Sequence, residues 1–181
     1  MALIRNRNIN VLIDAETLAA RNDALADEIA RSGADNLLVI AVLKGSFIFA
    51  ADLVRSLHKS GMSPEIEFIT LSSYGTDTKS SGTVRIVRDI ESDVAGRNVL
   101  LIDDILESGR TISFAKGLML ERGAASAQIA VLLDKTGKRT ADITADYVGF
   151  ECPDYFVVGY GMDVAHAYRE LPFVGVVAED E

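Results

Sequence analysis

The chain has 181 residues, 49% of them hydrophobic and 25% charged, a balance typical of one globular domain with a substantial core. Its 18 basic and 27 acidic residues give a net charge of -9, which argues against sequence-independent nucleic-acid binding, because such binding neutralises phosphates with cations. No apolar run is long enough to cross a bilayer, no secretory signal is visible, and one cysteine, Cys152, rules out an intramolecular disulfide. We therefore expect a cytoplasmic protein with no membrane partner.

Strand and helix patterns alternate along the chain. Helices are indicated by apolar residues at helical spacing between a capping side chain and a glycine, and strands by continuous apolar runs or strict alternation. In chain order, the predicted elements are a helix at 14–31, a strand at 37–43, a helix at 46–61, strands at 65–71, 83–90 and 98–102, a helix at 110–122, and strands at 127–133 and 155–160.

This alternation predicts an α/β fold with a largely parallel sheet that is covered by helices on both faces. Ligands of such sheets bind beyond the carboxyl ends of the strands. The residues that directly follow each predicted strand are therefore the first candidates for a functional site.

The strongest local signal is VLLIDDILESGRT at residues 99–111. An apolar strand leads into Asp103 and Asp104, and Ser108-Gly109 then introduces a helix. Two adjacent carboxylates can accept hydrogen bonds from a sugar diol or lie near a metal ion, and amide groups at a helix N-terminus can hold a phosphate. The combination indicates a sugar phosphate, whereas the acidic pair alone is equally compatible with a strand end that caps a helix.

The same stretch closely resembles the phosphoribosyl pyrophosphate motif of type I phosphoribosyltransferases. Four further stretches resemble the hypoxanthine-guanine branch of that family and occur in the family's order: LKGS at 43–46, SSYG at 72–75, LLDKT at 132–136 and YFVVGYGMDVAHAYR at 155–169. The resemblance implies one domain over residues 1–181, with a central, mostly parallel sheet flanked by helices. It also implies a small hood formed by the N-terminal and C-terminal segments.

The resemblance further implies a role for each matched residue. Phosphoribosyl and phosphate contacts are expected at Asp103, Asp104, Ser108, Gly109, Arg110 and Thr111. Pyrophosphate contacts are expected at Lys44, Gly45 and Arg169, with a cis peptide bond before the lysine. The purine site is expected at Lys135, Phe156 and Val157, a covering loop at Ser73 and Tyr74, and a Mg²⁺ ligand at Asp163. The loop at 72–82 is expected to be mobile when no substrate is bound.

Glu107 departs from the family pattern, which usually has aspartate at this position. The family's carboxylate is thought to exchange a proton with the purine N7. Glutamate has a similar intrinsic acidity and one more methylene group, so the hypothesis is that Glu107 keeps the catalytic role with altered geometry.

The implied activity is transfer of a 5-phosphoribosyl group to hypoxanthine, and also to guanine, in purine salvage. The expected partners are therefore phosphoribosyl pyrophosphate and a purine base, with Mg²⁺ as cofactor, and no nucleic acid. The resemblance also implies a homodimer or homotetramer. Two alternatives stay open at this point: a xanthine-guanine phosphoribosyltransferase, and a non-catalytic regulator that senses phosphoribosyl pyrophosphate.

Overall fold

A computed structural model of the chain describes residues 8–73 and 84–178. Its helices and strands are, in chain order, β1 (Ile9–Ile13), α1 (Ala15–Arg31), β2 (Leu37–Leu43), α2 (Phe47–Lys59), β3 (Glu65–Ser73), β4 (Val84–Arg88), β5 (Asn98–Leu106), α3 (Arg110–Glu121), β6 (Ser126–Asp134), β7 (Tyr147–Glu151), β8 (Val157–Val158) and β9 (Val174–Val177). A single 3-10 turn, Thr136–Lys138, follows β6.

The central sheet has six strands in the order β4-β3-β2-β5-β6-β7. Every neighbouring pair is parallel except β3 and β4, which are antiparallel. The predicted α/β class with a mostly parallel central sheet is therefore confirmed. Because β2 and β5 lie side by side in the middle, their carboxyl ends open at the same edge.

The central strands are apolar throughout because both of their faces are buried. Val39 and Ala41 of β2 pack in one core with α1 and α2, whereas Leu38 and Ile40 pack in a second core with α3. Side chains of a strand alternate between its faces, so one continuous apolar run supplies both cores.

A second sheet of three antiparallel strands, in the order β1-β9-β8, joins the beginning of the chain to its end. Ile9 of β1 is paired with Val177 of β9. A β-carbon at Gly175 would overlap a methyl group of Ile9 and lie 3.1 Å from the Asn10 carbonyl oxygen, so β1 packs closely against β9 at this glycine.

The elements differ from the sequence predictions in several places. The strand predicted at 155–160 is confined to Val157–Val158, because Gly159, Tyr160 and Gly161 have positive φ angles of 92°, 49° and 101° and turn the chain. Strands β1, β7 and β9 were not predicted. Ser46 immediately precedes α2 as expected, but its hydroxyl donates to the Val42 carbonyl, 2.6 Å away, instead of capping a helix amide.

Within residues 8–73 and 84–178, no helix combines the length and apolar character that crossing a bilayer requires.

Candidate functional site

A polar pocket of about 270 Å³ opens at the carboxyl ends of β2 and β5. Eight residues that were predicted from the sequence line it together: Lys44, Gly45, Asp103, Asp104, Glu107, Ser108, Gly109 and Thr111. The residues come from two segments that are separated along the chain, and the parallel pairing of β2 with β5 brings them to one place.

The acidic pair belongs to the last part of β5, which continues to Leu106 instead of ending before the acids. Withdrawal from solvent and the neighbouring Asp104 carboxylate raise the pKa of Asp103 well above its usual range. Two carboxylates in this position favour a ligand that supplies a cation or hydroxyl donors. A ribose diol and a metal-bound water both satisfy that requirement.

The turn that follows the acids leads directly into α3. Gly109 is the N-cap with a φ of 80° and has no side chain that could cap α3, and the Arg110 amide donates to Ser108 Oγ at 3.4 Å. The amide groups of the first turn point towards the N-terminal end of the helix, beside the pocket. Such an N-terminus suits a phosphate. The Arg110 side chain is turned elsewhere: its Nε donates to Thr140 Oγ1 at 3.2 Å, and Arg110 is not among the residues that line the pocket.

The opposite wall of the pocket is the loop at 43–46, where the peptide bond between Leu43 and Lys44 is cis, as the resemblance implied. A β-carbon at Gly45 would overlap Oδ2 of Asp104 and lie 2.5 Å from its Cγ. The Asp104 carboxylate therefore lies directly on the backbone of Gly45, which only glycine permits.

A third segment meets this loop at Gly161. Glycine is required here for two reasons. The φ of Gly161 is 101°, and a β-carbon at this position would overlap the carbonyl oxygen of Gly45. Arg169 holds the turn by donating from Nη1 to the Gly161 carbonyl at 2.5 Å. It also pairs through Nη2 with Asp163 Oδ1 at 2.6 Å. Arg169, the residue predicted to contact pyrophosphate, and Asp163, the residue predicted to bind the metal ion, thus form an ion pair next to the loop that contains Gly45.

A buried tyrosine anchors the same turn to the two helices on that face of the sheet. The Tyr160 hydroxyl donates to Asp52 Oδ2 at 2.5 Å and accepts from Asn22 Nδ2 at 2.8 Å. Burial, followed by the hydrogen bond to Asp52, raises the pKa of Tyr160, so the hydroxyl remains protonated and continues to donate.

Of the predicted purine residues, Lys135 lies beside the end of β5. Lys135 is only 7% exposed, its backbone N–H donates to the Leu106 carbonyl at 3.0 Å, and its Nζ donates to the Tyr155 carbonyl at 2.6 Å. Phe156 is 60% exposed, whereas Val157 is buried. A buried ammonium group beside the end of β5 therefore contacts the residue that immediately precedes an exposed aromatic ring.

Glu107 lies at the rim of the pocket with a partly exposed carboxylate. Its Oε1 is 3.8 Å from Nζ of Lys138, which is paired more closely with Asp154 at 2.8 Å. Asp154 and Glu107 together raise the pKa of Lys138, with Asp154 as the larger cause.

The two residues predicted to cover the site lie at and beyond the end of β3. Ser73 is the last residue of β3 and is paired with Val84, and Tyr74 lies outside the described residues. Conversely, the sequence did not point to Gly161, which contacts the loop at 43–46, or to Arg139, whose guanidinium donates to the Leu106 and Glu107 carbonyls behind the pocket. Gly161 had a detectable signal in the closely spaced glycines of GYGMD, whereas Arg139 stands in a polar stretch that resembles an ordinary surface loop.

Comparison with known proteins agrees with this geometry. Residues 11–165 match the family model described as the phosphoribosyl transferase domain. The chain belongs to the phosphoribosyltransferase family. It is 45% identical, over 92% of both chains, to the hypoxanthine-guanine phosphoribosyltransferase of Bacillus subtilis.

Solved structures of phosphoribosyltransferases have the same fold. The crystal structure of a hypoxanthine phosphoribosyltransferase from Staphylococcus aureus is 37% identical and superposes with a TM-score of 0.89, covering 96% of this chain and 94% of that one. A glutamic acid mutant from an analysis of an invariant aspartic acid in HPRTs is 36% identical with a TM-score of 0.88, covering 96% of this chain and 97% of that one. That mutant protein therefore has the same fold as this chain.

Proposed function

We propose that this phosphoribosyltransferase transfers the 5-phosphoribosyl group of phosphoribosyl pyrophosphate to a 6-oxopurine in purine salvage. The products are the purine nucleotide, IMP or GMP, and pyrophosphate. The observation that carries the proposal is the buried ammonium group of Lys135 beside a pocket with two carboxylates and a helix N-terminus. The names of the relatives, hypoxanthine and hypoxanthine-guanine phosphoribosyltransferases, support the same activity.

The phosphoribosyl half of the substrate would lie along the end of β5. Asp103 and Asp104 accept hydrogen bonds from the ribose hydroxyls, and the turn from Ser108 to Thr111 binds the 5-phosphate through its amide and hydroxyl groups. Backbone amides at Lys44 and Gly45, together with the Arg169 guanidinium, receive the pyrophosphate.

In the reaction, a purine ring nitrogen forms a bond to C1 of the ribose while the bond from C1 to the pyrophosphate oxygen breaks. Pyrophosphate leaves with the electron pair of that bond. The proton on the purine N7 passes to the Glu107 carboxylate, which acts as the general base from the rim of the pocket. Cations that hold the departing charge lower the barrier because they stabilise the transition state more than the ground state.

Selection of the base depends on Lys135. Its Nζ already donates to the Tyr155 carbonyl, so it is positioned within the segment that leads to Phe156. A carbonyl at position 6 of the purine accepts a hydrogen bond from this ammonium group, whereas the amino group of adenine does not. A buried donor left without its partner costs about 1–3 kcal/mol or more, so adenine is disfavoured. Phe156 stacks on the purine ring and the Val157 backbone binds its edge.

The chemistry of the available donors fits Mg²⁺. Among the described residues, no group of three or more His, Cys, Asp or Glu side chains is arranged to hold a metal ion. Mg²⁺ takes oxygen ligands and commonly keeps several waters, so Asp163 can serve as its protein ligand, with Asp103 and Asp104 near its hydration shell. Asp163 Oδ1 contacts Arg169, and Oδ2 accepts from the His166 amide at 2.8 Å, which orients the carboxylate. When bound, Mg²⁺ would neutralise charge on the leaving pyrophosphate.

The test is a product assay with phosphoribosyl pyrophosphate, Mg²⁺ and, in separate reactions, hypoxanthine, guanine, xanthine and adenine. We expect nucleotide from hypoxanthine and guanine, none from adenine, and loss of product when EDTA removes the metal. Preferential use of xanthine would identify the alternative enzyme. Binding of phosphoribosyl pyrophosphate without product from any base would contradict the enzyme and indicate a regulator.

We also propose that the chain acts in the cytoplasm as a homodimer or homotetramer, as the family resemblance implies. Sedimentation equilibrium of the purified chain tests the assembly, and a monomer at micromolar concentration would contradict it.

A further inference from the structure

Arg139 makes an unusual number of backbone contacts for a residue in a polar loop. It follows the 3-10 turn after β6, and its side chain is only 17% exposed. Its guanidinium donates to three carbonyls: Nε to Glu107 at 3.0 Å, Nη2 to Leu106 at 3.2 Å and Nη1 to Ile143 at 2.7 Å. Nη2 also pairs with the carboxylate of Asp134, the last residue of β6.

The two residues after Arg139 extend this contact along the same loop. The backbone amides of Thr140 and Ala141 both donate to the Ser108 carbonyl at 3.0 Å. Three consecutive carbonyls, those of Leu106, Glu107 and Ser108, are therefore held by residues 139–141. The carbonyls of a peptide loop fix the directions of its amides, because each peptide group is planar.

The held carbonyls immediately precede the amides that are needed for a phosphate. The turn continues through Gly109 into the first residues of α3, and the position of a β-carbon on Gly109 is 3.1 Å from Cδ of Arg139. Arg139 also belongs to the segment that begins with Lys135, whose amide donates to the Leu106 carbonyl. The Leu106 carbonyl therefore accepts hydrogen bonds both from Arg139 and from the backbone of Lys135, the residue proposed to bind the purine.

We propose that Arg139 is a positioning residue that orients the phosphate-binding turn at 108–111 by holding the preceding carbonyls of Leu106 and Glu107, without itself touching the substrate. The inference rests on the proposed function for the identity of the ligand, a sugar 5-phosphate. The planar guanidinium presents five donors in a fixed fork, and lysine presents three donors on one flexible atom. Lysine at position 139 keeps the charge but does not hold the carbonyls of Leu106, Glu107 and Ile143 at once.

The experiment is calorimetric titration with ribose 5-phosphate, which requires no turnover, and with hypoxanthine. We expect Arg139→Lys to weaken ribose 5-phosphate binding by about 10- to 100-fold, the range for losing hydrogen bonds from a charged donor. Hypoxanthine binding should change less than about threefold, because Lys135 keeps its own bond to Tyr155.

Arg97→Lys is the matched control. Arg97 immediately precedes β5, at the end of the strand opposite the pocket, and its side chain is 11% exposed and paired with Glu65 at 2.6 Å. Like Arg139→Lys, this substitution replaces a largely buried guanidinium that is paired with a carboxylate. It therefore controls for any general loss of stability that such a replacement causes. We expect it to leave ribose 5-phosphate binding within about twofold of the parent chain.

Several results would overturn the proposal. One is that Arg139→Lys binds ribose 5-phosphate as tightly as the parent chain. Another is that it weakens the binding of ribose 5-phosphate and of hypoxanthine equally, and a third is that Arg139→Lys and Arg97→Lys weaken ribose 5-phosphate binding equally. If Arg139→Lys does not fold, Asp134→Asn provides the test, because it removes the carboxylate that anchors the guanidinium and leaves the three carbonyls. We expect it to weaken ribose 5-phosphate binding about three- to tenfold, and unchanged binding would overturn the proposal. Failure of the parent chain to form product would affect only the proposed activity, since these titrations measure binding.

Discussion

Gly45→Ala is the most direct test of how the pocket is built. In the parent chain the Asp104 carboxylate lies on the bare α-carbon of Gly45, and an added methyl group would lie 2.5 Å from Cγ of Asp104 and overlap Oδ2. Carbon atoms in favourable contact are about 3.5–4.0 Å apart, so the two groups must separate by roughly 1 Å or more.

Neither partner can move without cost. Asp104 Oδ1 accepts the amide of Ile105 at 3.0 Å, and the carbonyl of Gly45 is packed against Gly161. Overpacking of this kind costs about 1–3 kcal/mol. If the same free energy is lost from substrate binding because the ribose and pyrophosphate contacts are displaced, KM for phosphoribosyl pyrophosphate rises by about 5- to 150-fold.

The assay is steady-state kinetics at varied phosphoribosyl pyrophosphate, with thermal unfolding measured on the same samples. Gly117→Ala is the control, because a β-carbon at Gly117 in α3 has no neighbour within 4 Å. Alanine within a helix should raise the free energy of unfolding by about 0.5–1 kcal/mol and leave KM unchanged. A Gly45→Ala enzyme with the parent KM for phosphoribosyl pyrophosphate would refute the packing argument.

Two further predictions concern the carboxylates of the pocket. Glu107→Gln should lower kcat by about 100-fold or more, which is the range expected for loss of a general base. The unfolding temperature should change little, because the side chain is partly exposed. Nearly full kcat would show that Glu107 is not the base. For Asp103, the raised pKa means that the contribution of this group to the free energy of unfolding is greatest at low pH and falls as pH rises from the unfolded-state pKa, about 3.9, through the folded-state value. Asp103→Asn should remove this fall, so urea unfolding should find the variant more stable relative to the parent at pH 8 than at pH 4.5. An equal difference at both pH values would contradict the assignment.

Much of the central sheet and of the phosphate pocket was predictable from local patterns. The run LLVIAVL predicted β2, which occupies the same seven residues, because a strand buried on both faces must be apolar along its length. The acids near the end of β5 and the Ser-Gly turn that follows it were recognisable, because carboxylates and a helix N-terminus that lie close together in the chain already indicate a sugar-phosphate ligand. The fold class followed from the alternation of these elements.

Other features depend on contacts between segments that are distant in sequence. β1 was missed because its short sequence, INVLI, is mostly exposed and becomes a strand by pairing with β9, about 165 residues away in the chain. The run YFVVGY resembled one strand, but the turn at Gly159 to Gly161 is set by packing against Gly45 and Phe173.

Burial of polar groups is the clearest example of what local patterns do not contain. Lys135 and Arg139 stand in the polar stretch DKTGKRT, which has the composition of a solvated loop. Lys135 is buried because the Tyr155 carbonyl accepts its ammonium proton, and Arg139 because the Leu106 and Glu107 carbonyls and Asp134 accept its donors. A charged side chain leaves water only where the fold supplies such partners, and those partners come from other strands and turns.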